Sequence, residues 1–285
     1  MKPILVTGGT GQVGTALKQL GPRFGAEIVA PARAQLDLAD PVTVQAMLDS
    51  RHWHAVINCA AYTAVDKAED EPHLAFASNA NGAELLAQGT GAREIALLHV
   101  STDYVFDGTQ SRPYVEDDLP APLGVYGASK EAGERGVRSR NRNHVILRTA
   151  WVVSPWGHNF VKTMLRLGTE RKELRVVDDQ RGCPTSAIDI AETLLTITTK
   201  GGPAGTYNFV NAGEATWCEL ARFVFDRAGL GVEVEAITTD QYPTRAARPA
   251  SSRLSTEKLQ QTFGIQPRPW QDAVGEIVDT LMGAQ

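Results

Sequence analysis

The stretch that most constrains the fold lies near the start of the chain, in residues 4–14. Residues 4–7 are mostly apolar and partly β-branched, which is typical of a strand buried in a parallel sheet. Gly9, Gly11 and Gly14 follow with the spacing Gly-x-Gly-x-x-Gly, and helical periodicity begins at Val13. Such glycines permit a tight turn and let backbone N–H groups approach a pyrophosphate at a helix N-terminus. The pattern predicts a strand-turn-helix unit that binds a dinucleotide, the alternative being an ordinary glycine-rich turn.

Strand and helix patterns alternate up to about residue 150. Buried-strand patterns fall at residues 27–30, 54–61, 95–101 and 144–148, and a helical pattern covers residues 73–90. This alternation predicts an α/β fold with a Rossmann-type doubly wound parallel sheet, covered by helices on both faces. We expect residues 151–153 to extend the strand that precedes them.

After Trp151 the pattern changes, and we expect a smaller C-terminal α/β region that binds substrate. Its elements are expected as a helix over 160–167, a polar loop over 178–185, a helix over 187–198, a strand over 206–210, a Thr216-capped helix over 217–228, a basic loop over 242–249 and two final helices from about 255 and 269. We expect residues 1–150 and 186–211 to form the NAD(P)-binding domain. Residues 151–185 and 212–285 would form the substrate-binding domain.

The composition excludes several classes of partner. The 285-residue chain has a net charge of −5 and no lysine- or arginine-rich block, which argues against nucleic acid and anionic membranes as partners. No apolar run is long enough for a membrane span, and residues 1–3 lead directly into a strand pattern, so we expect no signal peptide. Cys59, Cys183 and Cys218 lack metal-site spacing, so we expect free thiols and a cytoplasmic location.

Polar residues at two places are candidates for chemistry. Tyr126 and Lys130 are four residues apart, a spacing that places both side chains on one face of a helix. A tyrosine has an ordinary pKa of about 10, and a neighbouring cation lowers it by favouring the phenolate. Thr102 and Asp103 come where a buried strand ends, at the edge of the sheet that receives ligands. We read His99, inside that strand, as a core histidine, and we assign no histidine a chemical role.

The end of the second strand pattern bears on cofactor choice. NAD-specific proteins usually carry an acidic residue there for the ribose hydroxyl, whereas this chain has Arg33. Arg33 could pair with the 2′-phosphate of NADPH, or it could be a solvated surface arginine. The sequence leaves both NADPH and NADH open.

Taken together, these motifs resemble the dTDP-4-dehydrorhamnose reductase family of extended short-chain dehydrogenases/reductases. The resemblance covers nearly the whole chain, and its matching segments are residues 7–14, 58–63, 64–69, 101–108, 125–130, 147–151, 159–166, 179–185 and 248–249. It implies NAD(P)H-dependent reduction of the C4 ketone of dTDP-4-dehydro-β-L-rhamnose to dTDP-L-rhamnose.

The resemblance also implies roles for individual residues. Tyr126 would protonate the C4 oxygen, Lys130 would bind the nicotinamide ribose and lower the Tyr126 pKa, and Thr102 would hydrogen-bond the substrate carbonyl. Asp103 lies beside Thr102 and is expected to contact substrate. The cofactor would contact Gly8, Gly11, Gln12, Val13, Gly14, Arg33, Asp37, Leu38, Ala60, Ala61, Tyr62, Thr63, Tyr126 and Lys130.

The same resemblance implies two further substrate contacts. At the positions of a metal site found in some family members, this chain departs from the family pattern. Trp151 would contact the sugar nucleotide and Arg248 its diphosphate. Some family members bind Mg²⁺ at a dimer interface through acidic residues, and the matching positions here are Ala16 and Ile188. We therefore expect no structural metal, and a monomer or weak homodimer.

Two other functions stay open from the sequence. A related 4-keto-sugar reductase or an epimerase could carry the same motifs. A non-enzymatic NAD(P)-binding regulatory subunit also resembles this family, although Thr102, Tyr126 and Lys130 argue against that role.

Overall fold

The computed structural model describes residues 3–283. The strands are β1 (Pro3–Thr7), β2 (Glu27–Val29), β3 (Ala55–Asn58), β4 (Ala96–Thr102), β5 (His144–Thr149), β6 (Val152–Val153), β7 (Glu173–Val177), β8 (Arg181–Gly182), β9 (Thr185–Ser186), β10 (Gly205–Asn208), β11 (Ala215–Thr216) and β12 (Glu233–Ile237). The α-helices are α1 (Gln12–Leu20), α2 (Pro41–Asp49), α3 (Val65–Asp70), α4 (Pro72–Phe76), α5 (Ala83–Gly91), α6 (Val125–Arg140), α7 (Phe160–Glu170), α8 (Ala187–Lys200), α9 (Trp217–Ala228), α10 (Glu257–Phe263) and α11 (Trp270–Gly283).

The central sheet has six parallel strands in the order β2-β1-β3-β4-β5-β10. The chain leaves β1 toward β2 on one side and later returns to place β3 on the other side. This reversal opens a crevice at the carboxyl ends of β1 and β3, where doubly wound sheets bind ligands. The predicted α/β fold is confirmed.

Side chains of β1 show why this sheet is buried on both faces. Ile4 and Val6 point into a core that α1, α8 and α10 cover, whereas Leu5 points into a second core under α2, α5 and α6. Successive strand residues face opposite sides, so a strand covered on both faces must be apolar throughout. The apolar run that the sequence shows in residues 4–6 follows from this packing.

A separate core lies in the C-terminal half of the chain. Helices α7, α9 and α11 pack around the parallel pair of β7 and β12, with Val161, Val176, Phe225 and Val274 in the interior. Helix α9 begins at the predicted Thr216 cap, whose hydroxyl accepts a hydrogen bond from the Glu219 N–H in a capping box. This region forms its own hydrophobic unit beside the sheet.

Residues 151–153 do not extend β5 as the sequence analysis predicts. Trp151 has a φ of 47°, which turns the chain out of the strand direction. β6 then pairs with β9 instead of continuing in the main sheet. The expectation was wrong because apolar residues in sequence carry no sign of a left-handed turn between two strands.

The helix predicted over 73–90 begins one residue earlier and is interrupted. Residues Ala77–Gly82 form a π-helical turn between α4 and α5. Helix α3, immediately before it, and the strands β7 and β12 were not predicted. Strand β8 lies inside the segment predicted as a polar loop.

The sequence predicts neither a membrane span nor a structural metal. No helix within residues 3–283 is long and apolar enough to cross a membrane. Over the same residues, no group of three or more His, Cys, Asp or Glu side chains is placed to hold a metal ion. Ala16 is fully buried, and both Ala16 and Ile188 pack in the core between the sheet and its helices.

Candidate active site

A cleft of about 1040 Å³ opens at the carboxyl ends of β1, β3 and β4. We call it the central cleft. Every residue that the sequence analysis assigns to cofactor or substrate lines it, with the exception of Arg248. The predicted residues on its wall are Gly8, Gly11, Gln12, Val13, Gly14, Arg33, Asp37, Leu38, Ala60, Ala61, Tyr62, Thr63, Thr102, Asp103, Tyr126, Lys130 and Trp151.

The glycine turn forms one end of the central cleft as a tight cradle. Gly8 has a φ of 68°, and a Cβ there would lie 2.7 Å from the Ala60 nitrogen. A Cβ on Gly14 would lie 2.3 Å from the Gly8 carbonyl oxygen. Gly11 precedes α1, and no side chain caps the helix N-terminus. Its first N–H groups are therefore free for an anion, and these residues fit a dinucleotide pyrophosphate.

Gln12 ties the glycine turn to the C-terminal region. Its amide nitrogen donates to the Val152 carbonyl at 3.3 Å, and its oxygen accepts from Ser154 at 2.7 Å and Asn159 at 3.0 Å. Because the side chain bridges both regions, Gln12 fixes the wall of the cleft as well as lining it.

Arg33 lies at the far end of the cleft in an exposed position. Its side chain is 86% exposed and forms an ion pair with Asp37, with Nε 3.5 Å from Oδ2. The Asp37 carboxylate also accepts a hydrogen bond from the Ala39 N–H at 3.0 Å. A cation and an anion thus lie together at this end. The exposed guanidinium is accessible to a 2′-phosphate and is also solvated, so both interpretations of Arg33 stay open.

The segment after β3 is held by Asn79, which lies on the π-helical turn. The Asn79 oxygen accepts from the Tyr62 N–H at 2.7 Å, and its nitrogen donates to the Tyr62 carbonyl at 3.0 Å. The same nitrogen donates to Ser129 on α6 at 3.0 Å. One amide therefore connects the predicted cofactor segment, residues 60–63, to the helix that carries Tyr126 and Lys130.

Thr102, Asp103 and Tyr126 meet where β4 ends. The Thr102 hydroxyl donates to Asp103 Oδ1 at 2.9 Å and accepts from the Tyr104 N–H at 3.2 Å. Tyr126 lies half-buried beside them and packs edge-on against Tyr104, with ring centroids 5.6 Å apart. The strand end and the start of α6 thus bring two hydroxyl groups and a carboxyl group together.

Burial governs the protonation of these groups. It raises the pKa of Tyr126 above its ordinary value, although the neighbouring Thr102 hydroxyl partly opposes the rise. It also raises the pKa of Asp103 to about 6. The expected lowering of the Tyr126 pKa by Lys130 is wrong for this structure, because burial dominates at Tyr126 and Lys130 is not among the groups that lower its pKa.

Trp151 and Arg248 lie on the side of the cleft formed by the C-terminal region. Trp151 stacks on Trp217 with ring centroids 3.4 Å apart, so it is both a packed aromatic and part of the cleft wall. Arg248 does not line the cleft, and its guanidinium donates to Asp66 Oδ2 at 2.7 Å. The charge of Arg248 partly offsets the rise that burial causes in the pKa of Tyr104, so Arg248 lies one side chain away from the cleft.

Several cleft residues have no assigned role from the sequence. Tyr104 packs against Tyr126, His158 lines the cleft near Trp151, and Ser78 lies on the π-helical turn. Tyr104 follows the Thr102-Asp103 pair directly, and this adjacency was a usable signal. Nothing in the sequence distinguishes His158 or Ser78, because loop and helix packing bring them to the cleft.

A doubly wound sheet with a glycine cradle and a Tyr-x-x-x-Lys helix is the arrangement of NAD(P)-dependent oxidoreductases of the extended short-chain dehydrogenase/reductase class. A family model described as the RmlD substrate binding domain matches residues 1–282. The chain belongs to this family, the dTDP-4-dehydrorhamnose reductases. The predicted family, fold and enzyme class are confirmed.

Named relatives support the assignment over the full length. A dTDP-4-dehydrorhamnose reductase of Sinorhizobium fredii is 43% identical over 289 residues, covering 98% of this chain and 97% of the relative. A crystal structure of such a reductase from Clostridium acetobutylicum is 37% identical, with a TM-score of 0.94 and coverage of 98% and 99%. A Bacillus anthracis reductase solved in complex with NADP is 36% identical, with a TM-score of 0.93 and coverage of 97% and 98%.

Proposed function

We propose that this chain reduces the C4 ketone of dTDP-4-dehydro-β-L-rhamnose to dTDP-L-rhamnose, with NADPH or NADH as the reductant, in nucleotide-sugar synthesis. The observation that carries the proposal is the meeting of Thr102, Tyr126 and Lys130 in the cleft that also holds the glycine cradle. Full-length relatives with the same activity in their names support the choice of substrate.

Reduction of a ketone builds negative charge on its oxygen, and the residues at the end of β4 can stabilise that charge. When bound, the nicotinamide supplies the hydride. Tyr126 donates the proton to the C4 oxygen, and its raised pKa keeps this proton in place until charge has developed there. Thr102 offers a second hydroxyl donor to the same oxygen. Lys130, one helical turn from Tyr126, would bind the nicotinamide ribose.

The remaining binding roles form part of the same proposal. The glycine turn with Gln12 and Val13 would hold the pyrophosphate, and residues 60–63 would lie along the nicotinamide half. Asp37 and Leu38 would contact the adenosine half, with Arg33 beside them. These positions are supported by the lining of the central cleft, which runs continuously from the glycine turn to Tyr126.

On the substrate side, Asp103 and Trp151 would contact the sugar nucleotide. Arg248 would bind its diphosphate after exchanging the Asp66 carboxylate for a phosphate oxygen. This role is supported by the position of Arg248, which lies beside Tyr104, a residue of the cleft wall.

The domain division and the surroundings of the chain are also proposals. We keep residues 1–150 with 186–211 as the cofactor domain and 151–185 with 212–285 as the substrate domain, although Leu259 and Phe263 of α10 pack on the first core. We propose a monomer or weak homodimer that binds neither nucleic acid nor membrane. We also propose a cytoplasmic location and no structural metal; the three free cysteines suit a reducing compartment.

The test supplies the purified protein with dTDP-4-dehydro-6-deoxyglucose, a 3,5-epimerase and NADPH, and identifies the product sugar by NMR. We expect NADPH oxidation and dTDP-L-rhamnose. A product with the other C4 configuration would identify a related reductase. Stoichiometric NAD retained through purification, without net NADPH oxidation, would identify an epimerase. No reaction with 4-keto sugars would support a regulatory subunit.

A further inference from the structure

His99 lies directly behind the central cleft and has no role in the chemistry described above. It is buried in β4, and its ring contacts polar groups on both sides. Nδ1 lies 3.0 Å from the Asn58 side-chain nitrogen, and Nε2 lies 3.4 Å from Lys130 Nζ. A buried imidazole thus connects the end of β3 to a residue proposed to hold the cofactor.

The orientation of the Asn58 amide decides which His99 nitrogen carries the proton. Asn58 Oδ1 lies 2.6 Å from the Thr7 hydroxyl and 3.2 Å from the Ala60 backbone nitrogen. A backbone N–H only donates, and Ala60 shares its proton between this atom and the Thr7 hydroxyl at 3.3 Å, so the amide oxygen faces Ala60 and the amide nitrogen faces His99. That nitrogen can only donate, and His99 Nδ1 must therefore accept.

The proton of the neutral ring is then on Nε2, which faces Lys130. The ring is neutral because burial, and secondly the Lys130 charge, lower the pKa of His99 well below its ordinary value. An ammonium group has three donors and no acceptor, whereas an uncharged amine has a lone pair. An Nε2–H group can hydrogen-bond only the amine, while Lys130 keeps its bond to the Val100 carbonyl in both forms.

We infer that His99 is a positioning residue for Lys130, whose uncharged amine it favours through Nε2–H, and that it thereby lowers the pH at which Lys130 loses its charge. This inference rests on the proposed function, because it concerns Lys130 as part of the reductase site. It adds to that function a residue that touches neither cofactor nor substrate.

Two other ionisable groups, Glu134 and Cys59, also act on the pKa of Lys130. Burial lowers the pKa of Lys130 to about 8, while the charge of Glu134 and the thiol of Cys59 oppose this. Glu134 is occupied by a buried ion pair with Arg148, whose nitrogen lies 2.7 Å from its carboxylate. Burial raises the pKa of Cys59 to about 12, which keeps that thiol neutral.

On the cleft side of Lys130 the titratable groups are Tyr126, Asp103 and Tyr104. Burial raises the pKa of all three, so the two tyrosines are neutral at pH 7. Among the described residues around Lys130, His99 is the one whose ring nitrogen faces Nζ, at 3.4 Å.

The variant His99→Gln tests the inference. A glutamine side chain reaches about as far as Nε2 and can turn its amide oxygen toward Lys130, which favours the ammonium form. If the reaction needs charged Lys130, activity falls as pH rises through the Lys130 pKa. We expect the basic limb of kcat/KM for the keto sugar to move up by about one pH unit in this variant, the size of one hydrogen bond.

His144→Gln is the matched control, since His144 lies on β5 and contacts the Asn141 carbonyl instead of Lys130. We expect its basic limb to stay at the wild-type position. A folded His99→Gln enzyme whose basic limb also stays there overturns the inference, even if its melting temperature falls, because a purely structural role would lower only stability.

The ring of His99 provides a second readout that needs no variant. Nitrogen-15 NMR of the wild-type protein distinguishes the two neutral tautomers, with the His99 signals assigned by through-bond correlation to its backbone. We expect the Nε2–H tautomer from pH 6 to 9, a range that includes the Lys130 pKa of about 8. The Nδ1–H tautomer or an imidazolium ring would overturn the inference. If wild type reduces no keto sugar, the proposed function fails, while this measurement still decides the His99 contact.

Discussion

Burial and the proposed chemistry make opposing demands on the carboxyl group of Asp103. It is 2% exposed, and its Oδ1 accepts a hydrogen bond from the Thr102 hydroxyl at 2.9 Å. A hydroxyl has one proton, so Thr102 can donate to a substrate carbonyl only when its hydrogen bond to Asp103 breaks. The raised pKa of Asp103, about 6, shows that its carboxylate is held at a cost by the surrounding protein.

Replacing this carboxyl group should therefore stabilise the fold. The pKa of Asp103 is raised from 3.8 to about 6, so the folded state binds the extra proton and stability falls as pH rises between these values. We expect Asp103→Asn to raise the free energy of unfolding at pH 7 by up to about 3 kcal/mol and to remove this part of the pH dependence. Urea denaturation at several pH values measures both.

The control for this variant is Asp226→Asn on the exposed face of α9, which should change stability by less than about 0.5 kcal/mol. Asp103→Asn protein that is less stable at pH 7, with the wild-type pH dependence retained, would contradict the account of Asp103.

Residue spacing gave the cofactor turn and the Tyr126–Lys130 pair directly, because both depend on neighbours in one element. The contact of His99 with Lys130 could not be read in this way. It exists only because β3, β4 and α6 lie side by side, and the sequence shows His99 as one polar residue inside an apolar strand. Likewise, burial of Tyr126 reverses the pKa direction that the spacing suggested.

At the scale of elements, one buried ion pair fixes α6 on the sheet. Arg148 of β5 donates to both oxygens of Glu134, at 2.9 Å and 2.7 Å, and also to the Glu116 carbonyl. Both side chains of the pair are almost fully buried. The helix that carries Tyr126 and Lys130 is thus anchored on the sheet by a buried contact.

Breaking this pair from one side should be costly. We expect Arg148→Met to lower the free energy of unfolding by about 3–5 kcal/mol, because Glu134 stays buried without its main partner. Equilibrium denaturation in urea measures the loss. The matched control is Arg227→Met, which removes an exposed pair with Asp279 and should leave stability nearly unchanged, because solvent screens such a pair. Equal losses in the two variants would show that α6 does not depend on the buried pair.

The elements that the sequence failed to predict share a physical cause. β7 and β12 pair with each other across about sixty residues of chain, so neither is completed by a neighbour in sequence. The left-handed turn at Trp151 is stabilised by stacking on Trp217, which also lies far along the chain. The inner strands of the main sheet were predicted because burial on both faces leaves a mostly apolar run.

At the scale of the whole molecule, polar contacts close the central cleft on two sides. Gln12 links α1 to the segment after β6. Arg245 and Arg248 from the basic loop pair with Asp70 and Asp66 on α3. The C-terminal region is therefore held against the segment that follows β3, and the proposed substrate and cofactor positions face one cavity.

The change in helix and strand periodicity after Trp151 pointed to a second region, and a separate hydrophobic core lies in that part of the chain. The basic loop also stood out in an acidic chain. The carboxylates that pair with this loop could not be predicted, because they lie on α3, which was not predicted. They are also distant in sequence: the Asp66 carboxylate accepts a hydrogen bond from the Ala246 N–H, 180 residues later. Charge pairing between distant segments depends on the assembled fold.

The most direct test of the account is the turnover of Tyr126→Phe with dTDP-4-dehydro-β-L-rhamnose and NADPH, followed by NADPH absorbance. We expect turnover to fall by at least about 100-fold, a typical general-acid contribution, while the melting temperature and NADPH affinity persist. Tyr114→Phe is the control, because its hydroxyl donates to Asp107 outside the cleft, and it should keep wild-type turnover. Near-wild-type turnover in folded Tyr126→Phe protein would contradict the central claim that Tyr126 protonates the ketone.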